Sequence, residues 1–235
     1  TGEANGDLFV GFVSLSEDGK TIAVGAWGIN GNGDDSGHVR VYRLDDSSLS
    51  WMQLGEDIDG EAPGDDFGTS VSPWSVDKIT SVSLSADGET VAIGAPEAGS
   101  NGVWTGQVMV HRIDSGGSLW EPLGQTIYRD AFYDRFGLSV DISPDGNTLA
   151  IGSPRLYSDR DRPGYVRVFS LDSSNDLDTG SWKQIGEDII GEAIGDEFGH
   201  SVSLSEDGKM IAVGAPLNNN GNGDGSGHVR VYRID

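Results

Sequence analysis

A unit of about 60 residues is repeated four times along this 235-residue chain, and the repetition restricts the possible folds more than any other feature. A glycine within an apolar stretch recurs at intervals of 69, 58 and 62 residues, at Gly25, Gly94, Gly152 and Gly214. A phenylalanine opens each unit, at Phe9, Phe67, Phe136 and Phe198. An insertion around 73–81 accounts for the longest interval. We therefore predict a single domain or domain fragment with repeats at about 7–64, 65–133, 134–195 and 196–235.

Each unit contains four short segments of strand character, which we name A to D. In the fourth unit, segment A is FGHSVSLS (198–205), B is MIAVGA (210–215) and C is HVRVY (228–232). Segment D is WMQLGEDI (51–58) in the first unit, and it begins at Trp120 and at Trp182 in the next two units. Between A and B, an Asp-Gly pair predicts a tight hairpin. Four antiparallel strands at this period predict an all-β propeller. A β-sandwich, the alternative, would not need so uniform a repeat.

The phenylalanine and glycine motifs resemble the FG-GAP repeats of integrin alpha-subunit propellers. The matching pieces are Phe-Gly at 67, 136 and 198, Gly-Ala-Pro at 94 and 214, and a GxVxVY strand at 37 and 227. The first unit departs from the pattern with Phe9-Val10, and the third reads Gly152-Ser153-Pro154. The resemblance implies an extracellular or cell-surface adhesion or scaffold module.

The family's calcium loop, an Asp-rich DxDxDG stretch between A and B, is missing. Each unit has only a Ser-x-Asp-Gly turn there, as in Ser205 to Gly208, which is too short to surround a cation that needs six or more oxygens. The calcium sites of the family are therefore not transferred to these turns.

The net charge of -23 argues against binding to nucleic acid, because a phosphate backbone requires a basic surface. No stretch of the sequence approaches the length of a membrane span. The absence of cysteine removes disulfides and thiolate chemistry.

The variable loops indicate where a ligand would bind. In a four-stranded antiparallel blade, the B–C loops and D–A connections emerge at one end, which we name the loop end. We predict a protein or glycan partner there. The candidate contact residues are Trp74, Trp104, Asp59, Glu61, Asp65, Arg160 and Arg162.

Two B–C loops match the first half of a calcium loop, with oxygen-bearing side chains at alternate positions. The candidate metal ligands are Asn30, Asn32, Asp34, Asn220, Asn222 and Asp224. No bidentate glutamate closes either motif, so an Asn-Gly turn without metal is the alternative.

No catalytic constellation is evident, and we expect a non-catalytic protein. His38 and His228 occupy equivalent positions, which favours a structural role, and the chain has no GxSxG motif. A glycan-active hydrolase or lyase that uses loop carboxylates is the alternative.

Repeated Trp and Arg side chains are expected to serve packing. The Trp that opens segment D is interpreted as a blade anchor, with a sugar-stacking platform as the alternative. The Arg of segment C, for example Arg40, is expected to pack its stem and to pair with a carboxylate or an aromatic ring.

The fourth unit has no segment D. We therefore expect either a fragment of a longer propeller or a ring completed by self-association or another chain. A four-bladed ring whose last blade has three strands is the alternative.

Overall fold

The computed structural model describes residues 9–26, 37–60, 82–96, 98, 106–128, 134–154, 163–173, 180–218 and 225–234. Within these ranges the chain forms β-strands and turns and contains no helix. The strands form four antiparallel sheets, one after another along the sequence. This arrangement confirms the predicted all-β propeller fold.

Every sheet begins with three strands, in which segments A, B and C pair in chain order. The first sheet contains β1 (Phe9–Leu15), β2 (Thr21–Ala26), β3 (His38–Asp45), β4 (Ser50–Gln53) and β5 (Ile58–Asp59). The second contains β6 (Val82–Leu84), β7 (Thr90–Ala95), β8 (Gln107–Ile113), β9 (Trp120–Pro122) and β10 (Ile127–Tyr128). The third contains β11 (Ser139–Ile142), β12 (Thr148–Ser153), β13 (Tyr165–Asp172) and β14 (Ser181–Ile190). The fourth contains β15 (Ser201–Leu204), β16 (Met210–Ala215) and β17 (His228–Arg233).

Segment D is a single strand in only one of the three sheets that have it. In the first sheet it divides into β4 and β5, and in the second into β9 and β10, with both pieces paired to the third strand. In the third sheet β14 is continuous, and the extra length is absorbed by a register shift between Val166 and Val168. The predicted single strand is therefore interrupted by a break or a bulge where the sheet bends.

The hydrophobic core lies between successive sheets. Alternate residues of the third strand of one sheet face the first two strands of the next. Val39 and Val41 of β3, for example, pack with Val82 and Leu84 of β6. Equivalent clusters lie between the second and third sheets and between the third and fourth.

The first strands of successive sheets lie side by side and are joined by polar side chains. The Ser14 hydroxyl accepts a hydrogen bond from the Leu84 N–H at 2.9 Å, and the Ser83 hydroxyl accepts one from Ile142 at 3.2 Å. Asp141 accepts one from Leu204 at 2.7 Å. These strands line a cavity of about 220 Å³, at the position of the central channel of a propeller.

The A–B turns are tight hairpins, as the Asp-Gly pair predicted, and each loop has four residues between its closing backbone pair. The Ser16 N–H donates to the Thr21 carbonyl at 2.8 Å, and Gly19 has a φ of 70° that favours glycine. The Asp18 carboxylate accepts from the Ser16 hydroxyl at 2.7 Å and from the Lys20 N–H at 2.9 Å. The hydrogen bond from Ser16 is the main cause of a lowered pKa at Asp18. The aspartate of each A–B turn thus accepts hydrogen bonds within its own loop.

The tryptophans of β9 and β14 anchor each sheet to the one before it. Trp120 and Trp182 are 6% and 3% exposed, and their indole N–H groups donate to the carbonyls of Leu54 and Leu123, both at 2.8 Å. The blade-anchor interpretation is confirmed for these two. Trp51 of the first sheet is 46% exposed.

The described part of the chain contains no apolar helix of membrane-spanning length.

Candidate functional site at the loop end

The loop end is defined by the strands that point toward it. The third strands begin there, the D segments finish there, and the B–C and D–A connections join them. Of the residues predicted to bind a partner, the structure describes Asp59. The other predicted contacts lie outside the described residues: Trp74, Trp104, Glu61, Asp65, Arg160 and Arg162. So do the predicted metal ligands Asn30, Asn32, Asp34, Asn220, Asn222 and Asp224, and both sets stay predictions.

Asp59 is the last residue of β5 and lies on the exposed rim of the loop end. Its backbone pairs with that of His38 at the start of β3. The same place at the end of segment D is taken by Tyr128 in the second sheet and by Ile190 in the third. Tyr128 is 58% exposed and Ile190 is 61% exposed. We name these three residues the rim triplet.

Further exposed apolar side chains lie at the same end. Ile194 in the D–A connection and Leu217 in the B–C connection of the fourth unit are 54% and 46% exposed. Sequence reasoning missed them, together with Tyr128 and Ile190, because it concentrated on acidic residues and on tryptophan. The available signal was the alternation of segment D, which places Tyr128 and Ile190 on the face opposite to that of the preceding Ile127 and Ile189.

The Phe-Gly motif makes a rigid elbow between the D–A connection and the first strand. Arg135 and Glu197, which precede the phenylalanine, have φ values of 50° and 55°. Gly137 follows with a φ of 91°, and a Cβ atom there would lie 2.8 Å from the Gln107 carbonyl oxygen. The neighbouring strand and this backbone geometry together require glycine, so the elbow holds the connection in one conformation.

Buried carboxylates fasten the two kinds of connection to each other. Asp134 receives a hydrogen bond on its side chain from the Tyr165 hydroxyl at 3.0 Å and on its carbonyl from Ser153 at 2.5 Å. In the next unit, the Asp196 carboxylate accepts from the Asn218 amide and from the Ala193 N–H. Both aspartates are nearly inaccessible. Asp134 and Asp196, each two residues before its Phe-Gly elbow, are therefore structural.

The repeated arginines of segment C bind carboxylates, as predicted. Arg40 contacts Asp57 through Nε and Nη2 at 2.6 to 2.9 Å. Arg167 contacts Asp188 at 2.7 and 3.1 Å, and its guanidinium lies 5.5 Å from the centre of the Tyr165 ring. Burial raises the pKa of Asp57, but the hydrogen bonds and the charge of Arg40, together with a hydrogen bond from Gln53, outweigh this effect, and the pKa lies below its usual value. These pairs fasten segment C to segment D.

The histidines at the loop end are partly or fully enclosed. His38 is 5% exposed, and its Nε2 atom has no hydrogen-bond partner among the residues that the structure describes. Within the described ranges, no group of three or more His, Asp or Glu side chains is arranged to hold a metal ion.

The opposite end of the second sheet has a depression of about 1010 Å³ around its C–D hairpin. Its lining includes Asp114, Leu119 and Glu121. The Asp114 carboxylate accepts three backbone N–H groups of the hairpin, from Gly116, Ser118 and Leu119. This carboxylate therefore stabilises the turn.

Comparison with known proteins supports the fold and the repeat class. Residues 191–232 match the FG-GAP repeat family. No curated protein matches the chain. The crystal structure of Saccharomyces cerevisiae Sqt1 matches over 100% of this chain and 64% of its own, with 11% identity and a TM-score of 0.51. Trypanosoma rangeli sialidase, in complex with the inhibitor DANA, matches over 97% of this chain and 36% of its own, with 12% identity and a TM-score of 0.44.

The chain thus spans slightly less than two thirds of the length of Sqt1. At 11% identity this likeness concerns the fold alone. The predicted FG-GAP repeat is confirmed over residues 191–232, while the repeat bounds given above stay a prediction.

Proposed function

We propose that this FG-GAP repeat propeller is a non-catalytic extracellular binding module whose loop end contacts a protein. The observation that carries the proposal is the rim triplet. Equivalent positions elsewhere in the repeat hold the same type of residue, such as the Trp of segment D or the Asp-Gly of the A–B turn. At the rim the same position holds an acid, an aromatic and an aliphatic residue. Variation on an otherwise repeated scaffold is typical of a recognition surface.

The chemistry of this surface favours a protein over a glycan. Ile190, Ile194 and Leu217 offer exposed aliphatic surface that cannot hydrogen-bond to sugar hydroxyls. Tyr128 adds an aromatic side chain with a hydroxyl, a residue type enriched in the centres of protein interfaces. With a chain charge of -23, electrostatic attraction favours a partner whose contact surface is basic at its edge.

The proposal is tested by screening the purified chain, as a multivalent probe, against a panel of extracellular protein domains. A Tyr128→Ser, Ile190→Ser double variant should weaken binding of a selected partner by about tenfold or more, because it removes two apolar contacts. Leu119→Ser is the matched control. Leu119 is 47% exposed in the same sheet as Tyr128 but at the opposite end, and its replacement should leave binding within about twofold.

Two results would contradict this function. If the control and the double variant weakened every partner equally, the loop end would not be the binding surface. If a screen of oligosaccharides showed turnover that disappears on replacing one loop carboxylate, the chain would be an enzyme.

A further inference from the structure

One position of the first strands forms a repeated bridge between neighbouring sheets. It holds Ser14, Ser83, Asp141 and Ser203 in the four units. At Ser14 and Ser83 a hydroxyl oxygen accepts a backbone N–H of the next sheet, at 2.9 and 3.2 Å. At Asp141 a carboxylate oxygen does so, at 2.7 Å from the Leu204 nitrogen. The third unit thus has a carboxylate where a hydroxyl makes the same bridge in the first two.

Asp141 lies on the central cavity of about 220 Å³, which is lined by the first strands of all four sheets. The lining that the structure describes consists of four valines, five serines and Asp141. Asp141 is therefore the one charged residue of this lining. The surface around it is polar through hydroxyl groups and contains no basic side chain among these residues.

Hydrogen bonds hold the Asp141 carboxylate in place without neutralising its charge. Its Oδ1 atom accepts from the Ser83 hydroxyl at 2.8 Å, and its Oδ2 atom accepts from the Leu204 N–H. Burial raises the pKa of Asp141, and these hydrogen bonds, together with one from the Ile142 N–H, offset that effect only in part. The ionised carboxylate is thus less stable at the cavity than it would be in water.

Asp57 shows what a positive charge does for a partly buried carboxylate of the same chain. Burial raises the pKa of Asp57 as well, but the bonded guanidinium of Arg40 and the Gln53 amide hold it below its usual value. The pKa of Asp141 shows no such effect of a charged neighbour. A cation in the cavity would supply to Asp141 the charge that Arg40 supplies to Asp57.

The cavity has room for a cation together with part of its water shell. Its volume of about 220 Å³ corresponds to about seven water molecules, at about 30 Å³ each. Mg²⁺ prefers oxygen ligands, keeps several of its waters, and binds proteins through one or two carboxylates. The hydroxyls of the lining, such as those of Ser14 and Ser203, are able to hydrogen-bond to these waters. The chain charge of -23 also favours a cation over an anion here.

We propose that Asp141 and the serines around it form a binding site for a hydrated divalent cation of the Mg²⁺ type in the central cavity. The Asp141 carboxylate supplies the charge, and the serine hydroxyls hold the water molecules of the ion. Asp141 already bridges to Ser83 of the second sheet and Leu204 of the fourth, so the ion stabilises the junction of three sheets. This site is separate from the candidate calcium loops, because the first strands form it and the B–C loops do not.

The test uses Mn²⁺, which prefers the same oxygen ligands as Mg²⁺ and broadens the NMR signals of nearby amides. It is added in sub-stoichiometric amounts to the isotope-labelled full chain. A salt concentration of about 0.15 M screens exposed carboxylates more than buried ones. The amide signals of Ile142 and Leu204 should broaden before that of the exposed Asp46, and excess Mg²⁺ should restore them.

Asp141→Ser is the decisive variant, because Ser14 shows that a serine makes the same bridge to the next sheet. It keeps an acceptor for the Leu204 N–H and removes the charge, so Mn²⁺ should bind at least about tenfold more weakly at this position. Asp141→Asn, which keeps the size of the side chain, should have the same effect. Asp46→Ser is the matched control. It removes an equal charge from a side chain that is 67% exposed, and it should leave the affinity within about twofold.

Three results would overturn the proposal. One is that the Ile142 and Leu204 signals stay sharp while those of exposed acidic turns broaden. Another is equal broadening in the wild-type chain and in both Asp141 variants. The third is broadening that is strongest beside the candidate calcium loops, at Gly37 and Asn218, which would locate the ion in those loops. These outcomes are independent of protein binding at the loop end, because the first strands form the cation site and segment D carries the rim triplet.

Discussion

The third strands of the third and fourth sheets have closely similar sequences and very different surroundings. In β13, Val166 and Val168 are 0% and 3% exposed, whereas Val229 and Val231 of β17 are 69% and 62% exposed. Both strands pair with a second strand over the same register. Pairing within a sheet therefore does not bury these valines. They are buried only where the next sheet packs against them.

The first strand of the first sheet shows that the opposite face of a sheet also depends on a neighbouring sheet for its burial. Val13 and Leu15 of β1 are 49% and 57% exposed, while the equivalent Val82 and Leu84 of β6 are 2% and 7% exposed. Each sheet thus has two apolar faces, and each face is completed by a different neighbour. Stability in such an array is approximately a sum of interfaces between neighbours. Substitutions at equivalent positions should therefore differ according to whether a neighbour is present.

The largest expected difference concerns the anchoring tryptophans. Trp182→Ala should destabilise the chain by about 3–5 kcal/mol, because it leaves a large cavity and an unpaired Leu123 carbonyl. Trp51→Ala should cost less than about 1 kcal/mol, since Trp51 is nearly half-exposed. Urea unfolding followed by fluorescence measures both. Equal losses of unfolding free energy would show that Trp51 is buried in solution.

A smaller effect concerns His111, a buried histidine of the second sheet that can be protonated. His111 stands where the other sheets have Tyr42, Phe169 and Tyr232, and burial lowers its pKa from 6.5 to about 4. A depressed pKa means that protonation favours the unfolded chain. The stabilisation is complete above pH 6.5 and is lost as the pH falls toward 4.

The measurement compares the wild-type chain with His111→Phe. Between pH 7 and pH 5 the wild-type chain should lose about 2 kcal/mol more unfolding free energy than the variant. The variant is the control for all other titrating groups, because it removes only the imidazole. If both proteins lost the same amount, the imidazole would be accessible to water in the folded state.

Local pattern predicted the parts of the structure that local interactions determine. Segment B of the fourth unit coincides with β16, because its boundaries are turn residues and its interior is apolar on both faces. The division of segment D into two strands was not predictable, since it depends on how far the sheet bends. The exposed apolar residues of the rim were missed for a related reason. Ile189 and Ile190 are adjacent and chemically alike, and only the packing of the sheet determines which one faces solvent.

The smallest expected difference isolates the contact between an anchoring tryptophan and the glycine beneath it. Gly124 and Gly186 both have positive φ, 76° and 65°, so an alanine at either position costs about 1 kcal/mol from backbone strain. At Gly124 the new Cβ atom would also displace the Trp182 indole, which lies within 2.8 Å and bonds the Leu123 carbonyl. Gly124→Ala should therefore cost about 1 kcal/mol more than Gly186→Ala.

Gly195→Ala is the control, because Gly195 has a φ of 85° and no described atom lies within 4 Å of its Cβ position. Thermal unfolding of the three variants should rank Gly124→Ala as the least stable, with Gly186→Ala and Gly195→Ala close together. If Gly186→Ala behaved like Gly124→Ala, a side chain would pack on Gly186 in solution as Trp182 packs on Gly124.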